Sequence, residues 1–322
     1  MEAALALIGE DLTNVELQFK KDLHSDVPLI RKVGEYVLAS GGKRIRPALL
    51  LLSAKLCGYT GNRNVALASV IEFIHTATLL HDDVVDNANL RRGIASANTL
   101  WGNEASVLVG DFLFSKSFSL MVADGDLKIL KVLSGATTII AEGEVLQLIC
   151  TSDLDLTLER YIEVVKAKTA ILLSAACQSG AILGQASSQH ETALQEFGMD
   201  LGIAFQLMDD TLDYVASEEQ FGKSIGHDLE EGKITLPLIH TLRQCTAEER
   251  SQIGTIIEKD ILEDQDFSTV FDLVGKYDGI KHTIAVANEY VNRCKGHLNV
   301  FPESTEKAAL FDLADYVLTR VK

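Results

Sequence analysis

Along most of this 322-residue chain, apolar side chains return every three or four positions rather than every second one. Only four prolines, Pro28, Pro47, Pro237 and Pro302, interrupt the pattern. That spacing lines one stripe of an α-helix, whereas strands need alternation. The chain is therefore expected to be all-α, with helices burying their stripes against one another; a hydrophobic content of 47% is ample for such a core. No repeat, linker or low-complexity tract divides residues 1–322, which are read as a single domain. Helices are expected near 2–23, 28–40, 47–57, 103–123, 127–150, 159–183, 247–258, 267–275, 280–297 and 304–320, with further helices ending in each acidic cluster described next. The polar, glycine-punctuated stretch 216–233 reads as a loop, either an ordinary connection or a mobile flap bringing Lys223 and Lys233 over a ligand.

Two apolar helical runs end in aspartates. LLHDDVVD carries Asp82, Asp83 and Asp86; FQLMDDTLD carries Asp209, Asp210 and Asp213, 127 residues later (209 − 82). A four-residue spacing stacks carboxylates on one helix face, where they repel each other unless a cation intervenes. A single cluster also reads as an acidic helix end; two in the same setting argue for metal. Magnesium suits them, since it takes one or two carboxylates and completes its shell with water and phosphate oxygens. Arg91 and Arg92 follow the first cluster, and guanidinium forks match phosphate geometry. A second basic segment, GGKRIRP at 41–47, sets Lys43, Arg44 and Arg46 beside a glycine pair whose backbone can approach a ligand closely. His75 lies two helical turns before Asp82 on the same face, and it reads either as a diphosphate contact or as a core histidine with a satisfied hydrogen bond. Glu142, Glu144 and Gln147 interrupt an apolar run and read either as support for the metal site or as solvent-facing.

These stretches, with AEGEVLQL at 141–148, Lys168–Thr169 and GKITLP at 232–237, resemble in order the trans-polyprenyl diphosphate synthases, and within them the bacterial octaprenyl and solanesyl synthases. The resemblance implies an isoprenoid-synthase-type helical bundle around a deep central cavity. It implies a prenyltransferase that adds isopentenyl diphosphate to an allylic diphosphate such as farnesyl diphosphate, for quinone side chains. Asp82, Asp86 and Asp209 would be the metal ligands, holding two to three magnesium ions. Asp83, Asp210 and Asp213, with Arg91, Lys168, Thr169, Gln206, Lys223 and Lys233, would complete the catalytic site; Gly42, Lys43, Arg46, His75 and Arg92 would bind isopentenyl diphosphate. In the family, bulky aromatics four or five residues before the first motif shorten the product. Ala77 and Thr78, with Ile74 and Phe73 deeper along the helix, imply a long one, with Phe114, Phe118 and Met121 as candidates for the floor. A homodimer is also implied. The alternatives are a shorter-chain geranylgeranyl synthase, a class I terpene cyclase, or a non-catalytic subunit of a heteromeric prenyltransferase. Intact aspartate clusters and the GGKRIRP segment argue against the last two.

A formal charge of −17 repels nucleic acid and anionic lipid, so phosphate ligands must be held by local cations or metal. Five dispersed cysteines form no ligand pair and read as buried apolar groups in a reducing compartment. No signal peptide is apparent, and no apolar run is expected to reach a membrane span. The chain is read as cytoplasmic, without stable membrane insertion.

Overall fold

The computed structural model describes residues 2–215, 226–259 and 261–319. Among them the regular structure is α-helical apart from one small hairpin. In order run α1 (Glu2–Asp22), α2 (Pro28–Ala39), α3 (Ile45–Leu56), α4 (Arg63–Val85), β1 (Leu90–Arg91), β2 (Ile94–Ala95), α5 (Ala97–Trp101), α6 (Asn103–Asp124) and α7 (Leu127–Cys150). Then follow α8 (Leu158–Val165), a π-helical turn (Lys166–Ala170), α9 (Ile171–Leu183), α10 (Ser188–Val215), α11 (His227–Glu230), α12 (Leu236–Leu242) and α13 (Ala247–Ile257). The chain finishes with α14 (Asp264–Lys276), α15 (Gly279–His297), a 3-10 turn (Leu298–Val300) and α16 (Thr305–Leu318).

Local chemistry sets these ends. Pro28 opens α2, where its missing N–H is no loss. The Thr157 hydroxyl caps α8 by accepting from the Arg160 N–H, and Thr246 and Glu249 form a capping box on α13. Two features depart from the expected pattern. The stretch 159–183 is helical throughout, as expected, but the backbone widens into the π-helical turn midway. Arg91 and Arg92, in a stretch that reads from sequence as a loop, lie in a β-hairpin: Leu90 pairs antiparallel with Ala95 and Arg91 with Ile94, and Arg92 and Gly93 make the turn with φ of 53° and 78°. Two successive positive φ values match the twist a two-residue hairpin requires.

By density of contacts the residues form two compact units that interleave along the chain, so no boundary in the sequence separates them. The first comprises residues up to Thr137 with Leu172–Gly198 and His297–Leu313; the second comprises Thr138–Ile171, Met199–Gly296 and the residues from Ala314. In the first, α4 is surrounded by α1, α2, α3, α5 and α6. Phe73, Ala77 and Leu80 of α4 pack with Phe19 of α1, Leu23 just after it, Val33, Val37 and Leu38 of α2, and Val109 and Leu113 of α6. Each large side chain so enclosed stabilises the fold by about 1.5–3 kcal/mol relative to exposure. In the second unit α12 packs on α8 and α14, and α13 packs on α14.

Helices α6 and α7 are long and apolar enough to cross a bilayer by length and composition alone, against the expectation that no run reaches that length. They reach it because serine, threonine and glycine fill many of their polar positions.

Candidate active site

In the first unit the anion-binding candidates gather around α4. Its face carries Glu72 and His75, one turn apart. The Nη1 of Arg46, in the first turn of α3, lies 3.1 Å from the Nε2 of His75. Burial, then the nearby Arg46, Arg91, Arg92 and Arg44, hold the imidazole well below the usual histidine range. His75 is therefore neutral and accepts from Arg46 through Nε2, with its own proton on Nδ1. Arg92 lies beside the glycine pair: a Cβ built on Gly42, whose φ is +151°, would meet the Arg92 Nη1 at 3.0 Å. Burial and the neighbouring Arg91 and Arg44 lower the Arg92 pKa, as expected where cations crowd around a place for an anion. Lys43 is exposed. Arg44, grouped by sequence with these cations, is instead committed to the protein: Nη1 donates to Glu72 at 2.7 Å and Nη2 to the Leu38 carbonyl at 3.0 Å.

At the end of α4 the three aspartates diverge. Asp82 and Asp86 are half-buried on one face. Asp83 is buried, and its Oδ1 accepts from the Nε of Arg91 at 2.7 Å. Arg91 and Asp83 thus tie the hairpin to α4. His81 reaches the Val107 carbonyl at 3.2 Å and seats α4 on α6. Of the four chain-length positions, Phe73, Ile74 and Ala77 are fully enclosed, with Phe73 stacked on Phe19 at 4.2 Å between centroids. Thr78 alone is partly exposed, so an open wall at these positions rests on Thr78; the packed α1–α6 core takes up the rest. Met121 is buried, whereas Phe118 is exposed.

The second unit holds the other motif and a cleft lined by Lys168, Thr169, Gln206, Asp210, Lys233, Tyr161 and Asp228, among others. A hydrogen-bond chain crosses it. The Thr169 hydroxyl donates to Gln206 Oε1 at 2.8 Å, and Gln206 Nε2 donates to Asp210 Oδ1 at 2.8 Å. The Tyr161 hydroxyl donates to the other Asp210 oxygen. Burial pushes the Asp210 carboxyl up to about 7. Lys168 donates to Glu144 at 2.8 Å, so that glutamate holds the lysine. Both oxygens of Asp213 accept from the start of α11, at 3.1 Å from the His227 N–H and 2.9 Å from the Asp228 N–H. Lys233 pairs with Glu231. The expected loop after Asp213 contains helix α11 over His227–Glu230; Lys223 lies outside the described residues.

Sequence reasoning missed Tyr161, Asp228, Glu72 and Glu231. Asp228 lines the cleft, and burial, with Asp213 and Asp210 beside it, holds its carboxyl well above the usual carboxylate range. Its signal was an aspartate inside a glycine-flanked segment; Tyr161 and Glu72 had only their place among apolar neighbours.

Among the described residues no three His, Cys, Asp or Glu side chains converge as a self-contained cage. Pairs of carboxylates on a helix face fit a hard cation that draws its remaining ligands from water and diphosphate, as magnesium does.

A model of the family described as polyprenyl synthetase matches residues 27–274. The chain belongs to the polyprenyl synthetase family. It is 44% identical over 324 residues to the octaprenyl diphosphate synthase of Escherichia coli (strain K12), covering 99% of both chains. It is 38% identical to an all-trans-nonaprenyl-diphosphate synthase of Rhodobacter capsulatus, covering 99% of this chain and 97% of that one. Among solved structures, the polyprenyl synthase of Caulobacter crescentus CB15, complexed with calcium and isoprenyl diphosphate, matches with a TM-score of 0.96 at 39% identity, covering 100% of this chain and 98% of that one. As a member of this family the chain is a prenyltransferase, a divalent-metal-dependent enzyme that condenses isopentenyl diphosphate onto an allylic diphosphate, and its fold is the helical one expected.

Proposed function

We propose that the enzyme makes octaprenyl diphosphate from farnesyl and isopentenyl diphosphates, as a homodimer serving quinone side-chain synthesis. The observation that carries this reading is the 44% identity, end to end, to an octaprenyl diphosphate synthase. The small, partly exposed Thr78 agrees with a long product. Asp82, Asp86 and Asp209 would hold two to three magnesium ions, which when bound neutralise the diphosphate leaving group. Lys168, Arg91 and Lys233 orient that group and add positive charge where its negative charge grows. Each is itself held: Lys168 by Glu144, Arg91 by Asp83 and Lys233 by Glu231. Thr169 and Gln206 turn oxygens toward the allylic cation, and the Gln206–Asp210–Tyr161 chain fixes Gln206. Lys43, Arg46, His75 and Arg92 grip isopentenyl diphosphate so that its double bond meets the cation; the departing diphosphate accepts the proton released. Walls of Val164, Val165, Leu156 and Ile234 keep water from that cation.

The test is incubation with farnesyl diphosphate, isopentenyl diphosphate and magnesium, followed by phosphatase treatment and chromatography of the prenyl alcohols. Octaprenol is expected, and chelation with EDTA abolishes it. Cyclic hydrocarbons without isopentenyl diphosphate consumption would mark a terpene cyclase; no turnover without a partner protein would mark a regulatory subunit.

A further inference from the structure

Arg44 is a non-glycine residue in left-handed backbone, with φ of 50° and ψ of 34°, at the position that starts α3. Such a conformation is unfavourable by about 1–2 kcal/mol for an L-residue and persists only where surroundings over-determine it. Here they do. The guanidinium donates to Glu72 at 2.7 Å, to Glu16 at 3.3 Å and to the Leu38 carbonyl at 3.0 Å. Glu72 is only 4% exposed, so its carboxylate depends on that cation. The next contact along the same two segments is in register with the first: Arg44 meets Glu72, and two residues on Arg46 meets His75, one helical turn further along α4.

We infer that the Arg44–Glu72 ion pair is the positioning element of the isopentenyl diphosphate subsite, fixing the GGKRIRP backbone so that Arg46 reaches His75. This rests on the subsite reading given above. Arg44 makes three protein contacts, to Glu72, Glu16 and the Leu38 carbonyl, and these hold the backbone of its segment in place. Neither Arg44 nor Glu72 is a catalytic residue; both act through Arg46.

The inference gives Glu72→Gln a sign that electrostatics alone reverses. Removing a buried negative charge beside three cations would tighten anion binding if field strength were all that mattered. If position matters, binding weakens because the Arg44 fork loses its anchor. The experiment varies each substrate separately for wild type, Glu72→Gln and Arg44→Lys, and measures isopentenyl diphosphate binding alone by calorimetry. Expected for Glu72→Gln is a rise of about tenfold or more in KM for isopentenyl diphosphate, with KM for farnesyl diphosphate within about twofold and kcat within about threefold. The calorimetric Kd rises in parallel. An unchanged or lower KM for isopentenyl diphosphate, or equal shifts for both substrates, overturns the inference. Should Glu72→Gln fail to fold, Arg44→Lys, which keeps the charge but loses the fork, decides by the same split. A wild type that does not elongate overturns the functional reading, a result separate from an elongating wild type whose variants keep its KM values.

Discussion

Adjacent aspartates in each acidic motif do different work, and the helix stripe on which each falls explains why. Asp83 continues the buried line Thr76–Leu80, and Asp210 continues Ile203–Leu207 toward Tyr214. A carboxylate on a buried stripe needs a partner, and each has one: Arg91 for Asp83, Tyr161 with Gln206 for Asp210. Asp82, Asp86 and Asp209 stand a residue or more off that stripe, half-buried, where a cation with its own water can reach. The same stripe argument bears on Ala77. Its side chain is fully buried in the core cluster that also holds Phe19, Leu23, Phe73, Leu80 and Leu113, so a ring placed there has to displace packed neighbours. Ala77→Tyr is expected to shorten the product to geranylgeranyl length and to lower unfolding stability by about 1–3 kcal/mol, the range for overpacking a core. Product analysis beside a urea titration checks both. A destabilised enzyme that still makes the full-length chain would mark Ala77 as core alone and move the length ruler to Thr78.

Among the helices, the departure with most consequence is the π-helical turn at Lys166–Ala170. Nothing in KAKTA marks it: each residue is compatible with an α-helix, and the turn lies close against Gly143 of α7 and Gly202 of α10. Such turns recur at functional sites because they re-aim side chains relative to a regular helix. Here the re-aimed pair is Lys168 and Thr169. By contrast, most helix ends were legible, since proline at 28 and capping chemistry at 157 and 246 are written locally. What was not legible depends on tertiary partners: Tyr161 against Asp210, Glu144 against Lys168, Glu72 against Arg44. The turn also has a test. A Cβ built on Gly143 of α7 would sit 2.7 Å from the Ala167 Cβ and 3.0 Å from the Lys168 backbone nitrogen, closer than side chains tolerate. Gly143→Ala should therefore push the turn, move Lys168, and lower kcat by about one to two orders of magnitude, since small misplacements of a catalytic group carry such penalties. Far-ultraviolet circular dichroism should be unchanged. Full turnover in Gly143→Ala would show that the turn yields without displacing the lysine.

At the scale of the whole molecule, a chain of charge −17 concentrates its useful cations in a few places and leaves one class of surface unexplained by catalysis. On α6, Val107, Leu108, Phe118 and Val122 are exposed, and Leu108 and Val122 are 14 residues apart (122 − 108), about four helical turns, hence on one face. On α7, Val145, Leu148 and Ile149 are exposed at spacings that also share a face. Apolar surface of this extent marks a partner or a membrane. Asp111, near the middle of α6, is exposed, and a carboxylate at that depth is strongly unfavourable in lipid. A second protein copy, which can meet Asp111 with water or a polar group at its rim, suits the surface better. In the homodimer proposed above, the exposed stripe of α6 is the face we assign to the contact. Replacing Leu108 and Val122 together by glutamate places two charges in that contact and buries neither in the monomer, so the chain should fold and the dimer should not form. Light scattering coupled to size exclusion is expected to show the mass falling from twice the chain's to the 35.1 kDa of one copy. A wild type that already runs as a single copy, or a double variant that keeps the wild-type dimer mass, would remove α6 from the interface; co-sedimentation of wild type with phospholipid vesicles, lost in the variant, would reassign the face to a membrane surface.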